Sequence, residues 1–468
     1  MLFNSVEYFL FFFIVIISYY ILPSRFRWII LLIASYIFYL AWNTNLIVLI
    51  LISTLTDYIA GIKIEKGNHK KLFLSLSILV NLGLLWTFKY LDFSILNINY
   101  LLKPLIGYQI PLVELILPMG ISFYTFQTLA YTIDVYNGKI KAEKHLGYFA
   151  LYVTFFPQLV AGPIERAGHL LHQLKQNFKL NSDNLKVGST IIIWGLFKKV
   201  VIADRLALFV DPVFNNPSEH NSLVLIIAII FFAFQIYCDF SAYSDIAIGS
   251  AKILGINLMK NFNSPYFSLS LTEFWKRWHI SLSTWFRDYV YIPLGGNRTL
   301  KWRTYYNLLL TFLISGFWHG ANWTFILWGA IHGMAVVMER IFSKYERLKL
   351  PNLLKWCISF SIVLISWVFF RANSVSDVWI IFNNINDLNF SNSYESISAV
   401  GINKFDFILS PLVIFLLLLV EFFSSKRSEE YVFQSLNYFK KALVLILVFF
   451  CILIFGIEDS NQFIYFQF

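Results

Sequence analysis

Residues 304–338 contain no Asp, Glu, Lys or Arg over 35 consecutive positions. Drawn as one α-helix, this run would be about 50 Å long at about 1.5 Å per residue. The apolar core of a bilayer is only about 30 Å thick. The chain must therefore fold back or break inside the run. Near its middle stands Gly316-Phe317-Trp318-His319-Gly320, a histidine between two glycines. An ionisable side chain at membrane depth is costly and marks a functional site by default.

The rest of the chain belongs to the same class. It is 58% hydrophobic and only 14% charged, against roughly 25% charged in a soluble domain. Further charge-free apolar runs cover 8–24, 28–56, 72–88, 222–238, 356–370, 407–420 and 442–457. At about 20 residues per crossing, these and the less clean segments between them predict an all-α polytopic protein with roughly 10–13 membrane helices. Residues 1–116 read as transmembrane hairpins and 341–468 as C-terminal membrane helices. The centre, 117–340, is interrupted by Pro118, Gly120, Pro157, Pro163, Pro265, Gly316 and Gly320. Broken backbone at membrane depth is tolerated only where protein buries it or a cavity borders it, so the centre should enclose a cavity. The Asn- and Ser-rich stretch 372–404 reads as a loop with a short amphipathic piece near 378–382.

The net charge of +10 does not indicate nucleic acid. Arg25, Arg27, Lys63, Lys66, Lys70 and Lys71 sit in short loops between apolar runs. That positive-inside pattern puts the N-terminus outside. The first apolar run follows Glu7, with neither a basic leader nor a small-residue cleavage site, and reads as a retained helix. Cys238, Cys357 and Cys451 are far apart and define neither a disulfide framework nor a zinc site. Walker-type and Gly-x-Ser-x-Gly motifs are absent.

Residues 270–289 form the best-defined local unit. Ser270-Leu271-Thr272-Glu273 fits a capping box. Phe274, Trp278, Leu282, Trp285 and Tyr289 follow at helical spacing. One interfacial or re-entrant amphipathic helix is expected here, carrying His279. Of the eight histidines, His69, His145, His169, His172 and His220 fall in polar loops, leaving His279, His319 and His332. His319 suits a general base, since an imidazole titrates near neutral pH. His332 suits packing or orientation. Asp239 and Asp245 interrupt an apolar run and should be clamped by Arg or Lys, while Lys198-Lys199 should mark a membrane boundary.

Several stretches carry a family resemblance: Phe155-Phe156-Pro157-Gln158-Leu159-Val160-Ala161-Gly162-Pro163-Ile164, residues 237–249, Asn261-Phe262-Asn263-Ser264-Pro265-Tyr266, Glu273-Phe274-Trp275-Lys276-Arg277-Trp278-His279, residues 287–296 and 316–322, and Phe369-Phe370-Arg371-Ala372. In this order the chain resembles the membrane-bound O-acyltransferases. The nearest branch is that of the bacterial alginate and peptidoglycan O-acetyltransferases, with teichoic acid D-alanyl transferases as cousins. Ala242 stands where that pattern has glycine.

The resemblance implies a fold of membrane and re-entrant helices around a central funnel, in a bacterial cytoplasmic membrane. It implies acyl transfer from a cytoplasmic thioester, acetyl-CoA as donor substrate with no bound cofactor or metal, to hydroxyls of peptidoglycan or exopolysaccharide. An extracytoplasmic acetyltransferase- or esterase-like partner protein is implied as well. His319 is then the catalytic histidine and His279 the second functional one. Trp318, Asn322 or the backbone near Gly320 would support the oxyanion. Lys276 and Arg277, with Arg298, Lys301 and Arg303, would hold the donor. The rival reading is a proton-coupled transporter or flippase of a polysaccharide precursor, with His319 and Asp239 in a proton path. A polytopic glycosyltransferase would want an acidic metal site that the sequence lacks.

Overall fold

The computed structural model describes residues 1–67, 69–160, 162–342, 350–387, 393–424, 438–457 and 463–464. Among them the regular structure is helical, with no strand. Among the described residues, six helices are long and apolar enough to cross a membrane: Ile47–Glu65, Lys70–Ile106, Ser222–Ile253, Trp323–Phe342, Asn352–Arg371 and Lys404–Phe423. The apolar helix Val6–Ile21 is shorter. The remaining helical segments are shorter or more polar, as interrupted apolar sequence requires.

The chain forms two compact units. The first comprises Met1–Ser189 and Ile246–Met259. Its opening helix, Val6–Ile21, is capped by Ser5, whose hydroxyl accepts from the Tyr8 N–H at 3.3 Å. Ile47–Glu65 packs against both Lys70–Leu85 and Ile121–Tyr136. The last of these is buried along nearly its whole length. It starts at Gly120, where φ is 71° and a Cβ would lie 2.6 Å from the Leu159 carbonyl oxygen. Only glycine meets both conditions.

The second unit comprises Thr190–Asp245 and Lys260–Phe468. Here the long charge-free run resolves into Lys301–His319 and Trp323–Phe342, packed on each other and joined at Gly320. The two helices cross at glycine. A Cβ on Gly316 would lie 2.3 Å from the Phe325 carbonyl oxygen, and one on Gly329 would lie 2.4 Å from that of Phe312. Small residues let membrane helices approach this closely. The break expected near His319 is therefore present, and His319 is the last residue of the first arm.

Three sequence expectations change. Residues 270–289 are two short helices rather than one, Leu271–Arg277 and Ile280–Phe286, followed by a π-helical turn over Arg287–Tyr291. Their aromatic stripe faces protein rather than headgroups, since Phe274, Trp278, Leu282 and Trp285 are all buried. Lys198 and Lys199 are buried inside protein, whereas a boundary pair would face outward. Both are 1% exposed, within a π-helical turn over Phe197–Ala203. A third such turn, Trp86–Tyr90, carries Lys89. The polar stretch 372–404 holds two helices, Val375–Asn386 and Ser393–Ala399, the first capped by Ser374.

Candidate active site

The second unit gathers the histidines that the sequence singled out. His279, His319 and His332 are all buried, whereas His69, His145, His169 and His172 are exposed and His220 is half-buried. The rings of His279 and His319 lie 6.4 Å apart between centroids. Trp318 lies beside both, at 4.9 Å from His319 and 6.4 Å from His279. Trp328 and Phe370 complete the walls around His319, at 4.9 Å and 5.5 Å. Trp328 also meets His332 at 5.0 Å.

Local backbone chemistry explains how His279 arrives there. Its φ of 42° is left-handed, a conformation that costs a non-glycine residue about 1–3 kcal/mol and persists only where the surroundings impose it. Asn261 imposes it. The Asn261 carbonyl accepts from the Ile280 N–H at 2.9 Å, and its side-chain oxygen accepts from the Ser281 hydroxyl at 2.6 Å. The Asn263 N–H closes the other side on the Arg277 carbonyl at 2.9 Å. This pinned kink breaks the expected helix and turns His279 inward, against Phe240 at 4.6 Å.

His319 gains its position from the glycine crossing and from the end of the helix Asn352–Arg371. Arg371 donates to Asp211 at 2.8 Å and so fixes that end, next to Phe370. His332 has a different environment. Its Nδ1 accepts from the Trp275 indole at 3.3 Å, and its ring stacks on Phe274. It orients a wall, as its sequence context suggested.

A cavity of about 350 Å³ adjoins the histidine-bearing segments. Its lining includes Ile280, next to His279, and Ser315, one helical turn before His319. The interior is apolar, with Trp275, Phe286 and Phe312, while Lys276 and Arg287 supply cationic groups, Arg287 with Asp288 paired to it at 2.8 Å. Arg277 is not in this wall. It donates to Glu273 at 2.6 Å. Asn322 is also engaged elsewhere. Its amide NH₂ donates to the Asn373 carbonyl at 2.9 Å, and its oxygen accepts from the Thr324 N–H, opening the helix Trp323–Phe342.

Sequence reasoning missed Arg287 and Trp328. The indole N–H of Trp328 is buried and has no hydrogen-bond partner among the described residues. Its position nine residues after His319 in an apolar run gave no signal, because contact between the two depends on the hairpin.

Buried ion pairs frame the site. Lys199 pairs with Asp204 and Asp239, each at 2.8 Å, and Lys198 pairs with Asp245 at 2.7 Å. The expectation that Asp239 and Asp245 are clamped by cations is met. Asp239 also accepts from the backbone N–H of Ile464 at 2.8 Å, and Phe463 stacks on Tyr243 at 4.4 Å.

Comparison with known proteins gives the family. The sequence profile of the membrane-bound O-acyltransferase family matches residues 144–375, which contain all three buried histidines. A probable alginate O-acetylase, AlgI, of Pseudomonas aeruginosa is 42% identical over 383 residues, covering 80% of this chain and 73% of that protein. The chain belongs to the membrane-bound O-acyltransferase family. A peptidoglycan O-acetyltransferase of Helicobacter pylori is 40% identical over 377 residues, with 74% of this chain and 71% of that protein covered. A teichoic acid D-alanyltransferase of Streptococcus thermophilus is more distant, 29% identical over 297 residues. The protein is thus a multi-pass membrane acyltransferase.

Proposed function

We propose that this membrane-bound O-acyltransferase O-acetylates an extracytoplasmic polysaccharide, of the alginate or peptidoglycan kind, using acetyl-CoA from the cytoplasm. The observation that carries the reading is the buried pair His279 and His319, with Ile280 and Ser315 near them in the chain lining a cavity that has an apolar interior and cationic groups. The two relatives that match most of the chain are named for acetyl transfer to such polymers. The N-terminus lies outside and the basic loops face the cytoplasm. An extracytoplasmic partner protein completes transfer to the polymer.

In this reading His319 takes the proton from the attacking hydroxyl, a role worth about 10²–10⁴ in rate. The oxygen forms its bond to the acyl carbon, the carbon–sulfur bond breaks, and the thiol leaves with a proton. Negative charge develops on the thioester oxygen, where preorganised donors contribute most. Trp328, Trp318 and His279 are the candidates within the aromatic chamber. Lys276 and Arg287 attract the phosphates of the donor, while Trp275, Phe286 and Phe312 enclose its uncharged arm.

Mass spectrometry of cell-wall and secreted polysaccharide tests this reading. Cells making the wild type, His319→Ala or no protein should show O-acetyl esters on one polymer in the wild type only. Esters that persist with His319→Ala at normal protein levels refute the base assignment.

A further inference from the structure

The helix Lys301–His319 lends the cavity Leu308, Phe312 and Ser315, which approach His319 turn by turn. At about 1.5 Å per residue, this part of the lining begins about 16 Å from the histidine along the helix and ends one turn before it. Ser315 differs from the other hydroxyls of the lining. It is buried, at 5% exposure. The Thr311 hydroxyl donates to the Asn307 carbonyl at 2.6 Å, Thr284 to the Ser281 carbonyl at 2.9 Å and Ser283 to the Trp278 carbonyl at 3.3 Å. Back-bonding of this kind is a common fate of helical Ser and Thr. Thr272 is exposed, and the Tyr291 hydroxyl accepts from Arg340 at 3.4 Å. Ser315 alone in this lining pairs a buried hydroxyl with no hydrogen-bond partner among the described residues. An unpaired buried donor is costly and calls for an acceptor. The backbone beside it is firmly held, because Gly316 stands in the helix crossing against Phe325 and Gly329.

We propose that the Ser315 hydroxyl donates to the carbonyl oxygen of the acyl thioester, which makes it a further catalytic residue; this rests on the donor reading above. Residues four apart share a helix face, with Cβ atoms about 5–6 Å apart. A carbonyl held between Ser315 and His319 meets the hydroxyl at its oxygen, while His319 serves the attacking alcohol. As the new carbon–oxygen bond forms and the carbon–sulfur bond breaks, negative charge gathers on that carbonyl oxygen. The alcohol's proton passes to His319 and then to the leaving thiolate, and Ser315 keeps its own. A fixed donor in an apolar cavity favours the charged transition state over the neutral thioester.

The test compares two unreactive donor analogues on the full chain in detergent. Acetyl-dethia-CoA is a ketone in which a methylene replaces the sulfur, and S-ethyl-CoA lacks the carbonyl oxygen. Dissociation constants come from the titrated rise in thermal midpoint. The wild type should bind the ketone about three- to tenfold more tightly, the worth of one hydrogen bond. Ser315→Ala should bind the two alike, with S-ethyl-CoA held as by the wild type. Ser315→Cys keeps the shape with only a weak donor, so the preference should shrink there too, which keeps the test decisive should the alanine variant not fold. In membranes carrying the protein, Ser315→Ala should lower kcat for acetyl transfer about 10²-fold, more than it weakens ketone binding. Equal affinity of the wild type for the two analogues overturns the proposal, as does a preference that survives in Ser315→Ala. An equal loss of both analogues in Ser315→Ala overturns it as well, because the hydroxyl then serves the arm rather than the carbonyl. A wild type that binds neither analogue overturns the donor reading itself, and this inference with it.

Discussion

Replacing Lys199 by methionine tests how the second unit manages charge at membrane depth. The lysine is 1% exposed, and its ammonium sits 2.8 Å from both Asp204 and Asp239. Removing one partner of a buried ion pair costs about 3–5 kcal/mol, because the other charge is left uncompensated. Here two carboxylates are stranded together, so the loss should fall at the upper end of that range. Asp239→Asn alone should cost less, since an asparagine keeps an oxygen for the Ile464 N–H. The double variant Lys199→Met/Asp239→Asn removes one stranded charge, so it should be more stable than the sum of the single losses by about 1–3 kcal/mol. The assay is heating in detergent, followed by fluorescence-detected size exclusion of the surviving protein. Strict additivity, or a Lys199→Met protein as stable as the wild type, would refute the argument.

Other outcomes follow from the same geometry. His279→Asn retains a residue that tolerates the left-handed turn, so folded yield should hold while transfer falls about 10²-fold or more, read by ester content per unit protein. Asn261→Ala removes the acceptor of the Ser281 hydroxyl and should lower stability by about 1–3 kcal/mol, with a lower melting midpoint as the check. Gly316→Val places atoms against the Phe325 carbonyl, which belongs to backbone and cannot swing aside. The expected cost is at least about 1–3 kcal/mol from overpacking, with ester formation falling along with the melting midpoint as the hairpin shifts. The hydrogen bond to Glu165 raises the His169 pKa above its ordinary value. Its contribution to stability is therefore complete below the ordinary histidine pKa and is lost as pH rises through the raised value. The difference in melting midpoint between wild type and His169→Gln should shrink as pH rises above about 6.5, the ordinary histidine value.

The membrane class, the broken centre and the break beside a buried His319 were legible because charge exclusion and glycine punctuation are local signals. The hairpin at Gly320 followed from length alone. The two-helix form of 270–289 was hidden, because the kink at His279 is imposed by Asn261, eighteen positions earlier. Periodicity reports which residues share a face, and it cannot report a distant oxygen that captures an N–H. Lys198 and Lys199 were misplaced for a related reason. A lysine pair beside an apolar run is the usual mark of a membrane edge, and only the folded chain brings Asp204, Asp239 and Asp245 to meet them. Trp328 was silent until the hairpin set it against His319. Arg277 and Lys276 looked equivalent, yet their adjacent positions on a short helix send one to Glu273 and the other to the cavity wall.

The π-helical turn at Phe197–Ala203 bears on how this chain can change over time. Such a turn amounts to a helix that has taken in one extra residue, and one residue corresponds to about 100° of rotation at 3.6 per turn. Deleting a single codon there would restore regular winding while swinging Lys198 and Lys199 away from their carboxylates. Point substitutions can drift through the lipid-facing surface of this protein, but a one-residue change in length at this turn would be read by every side chain beyond it.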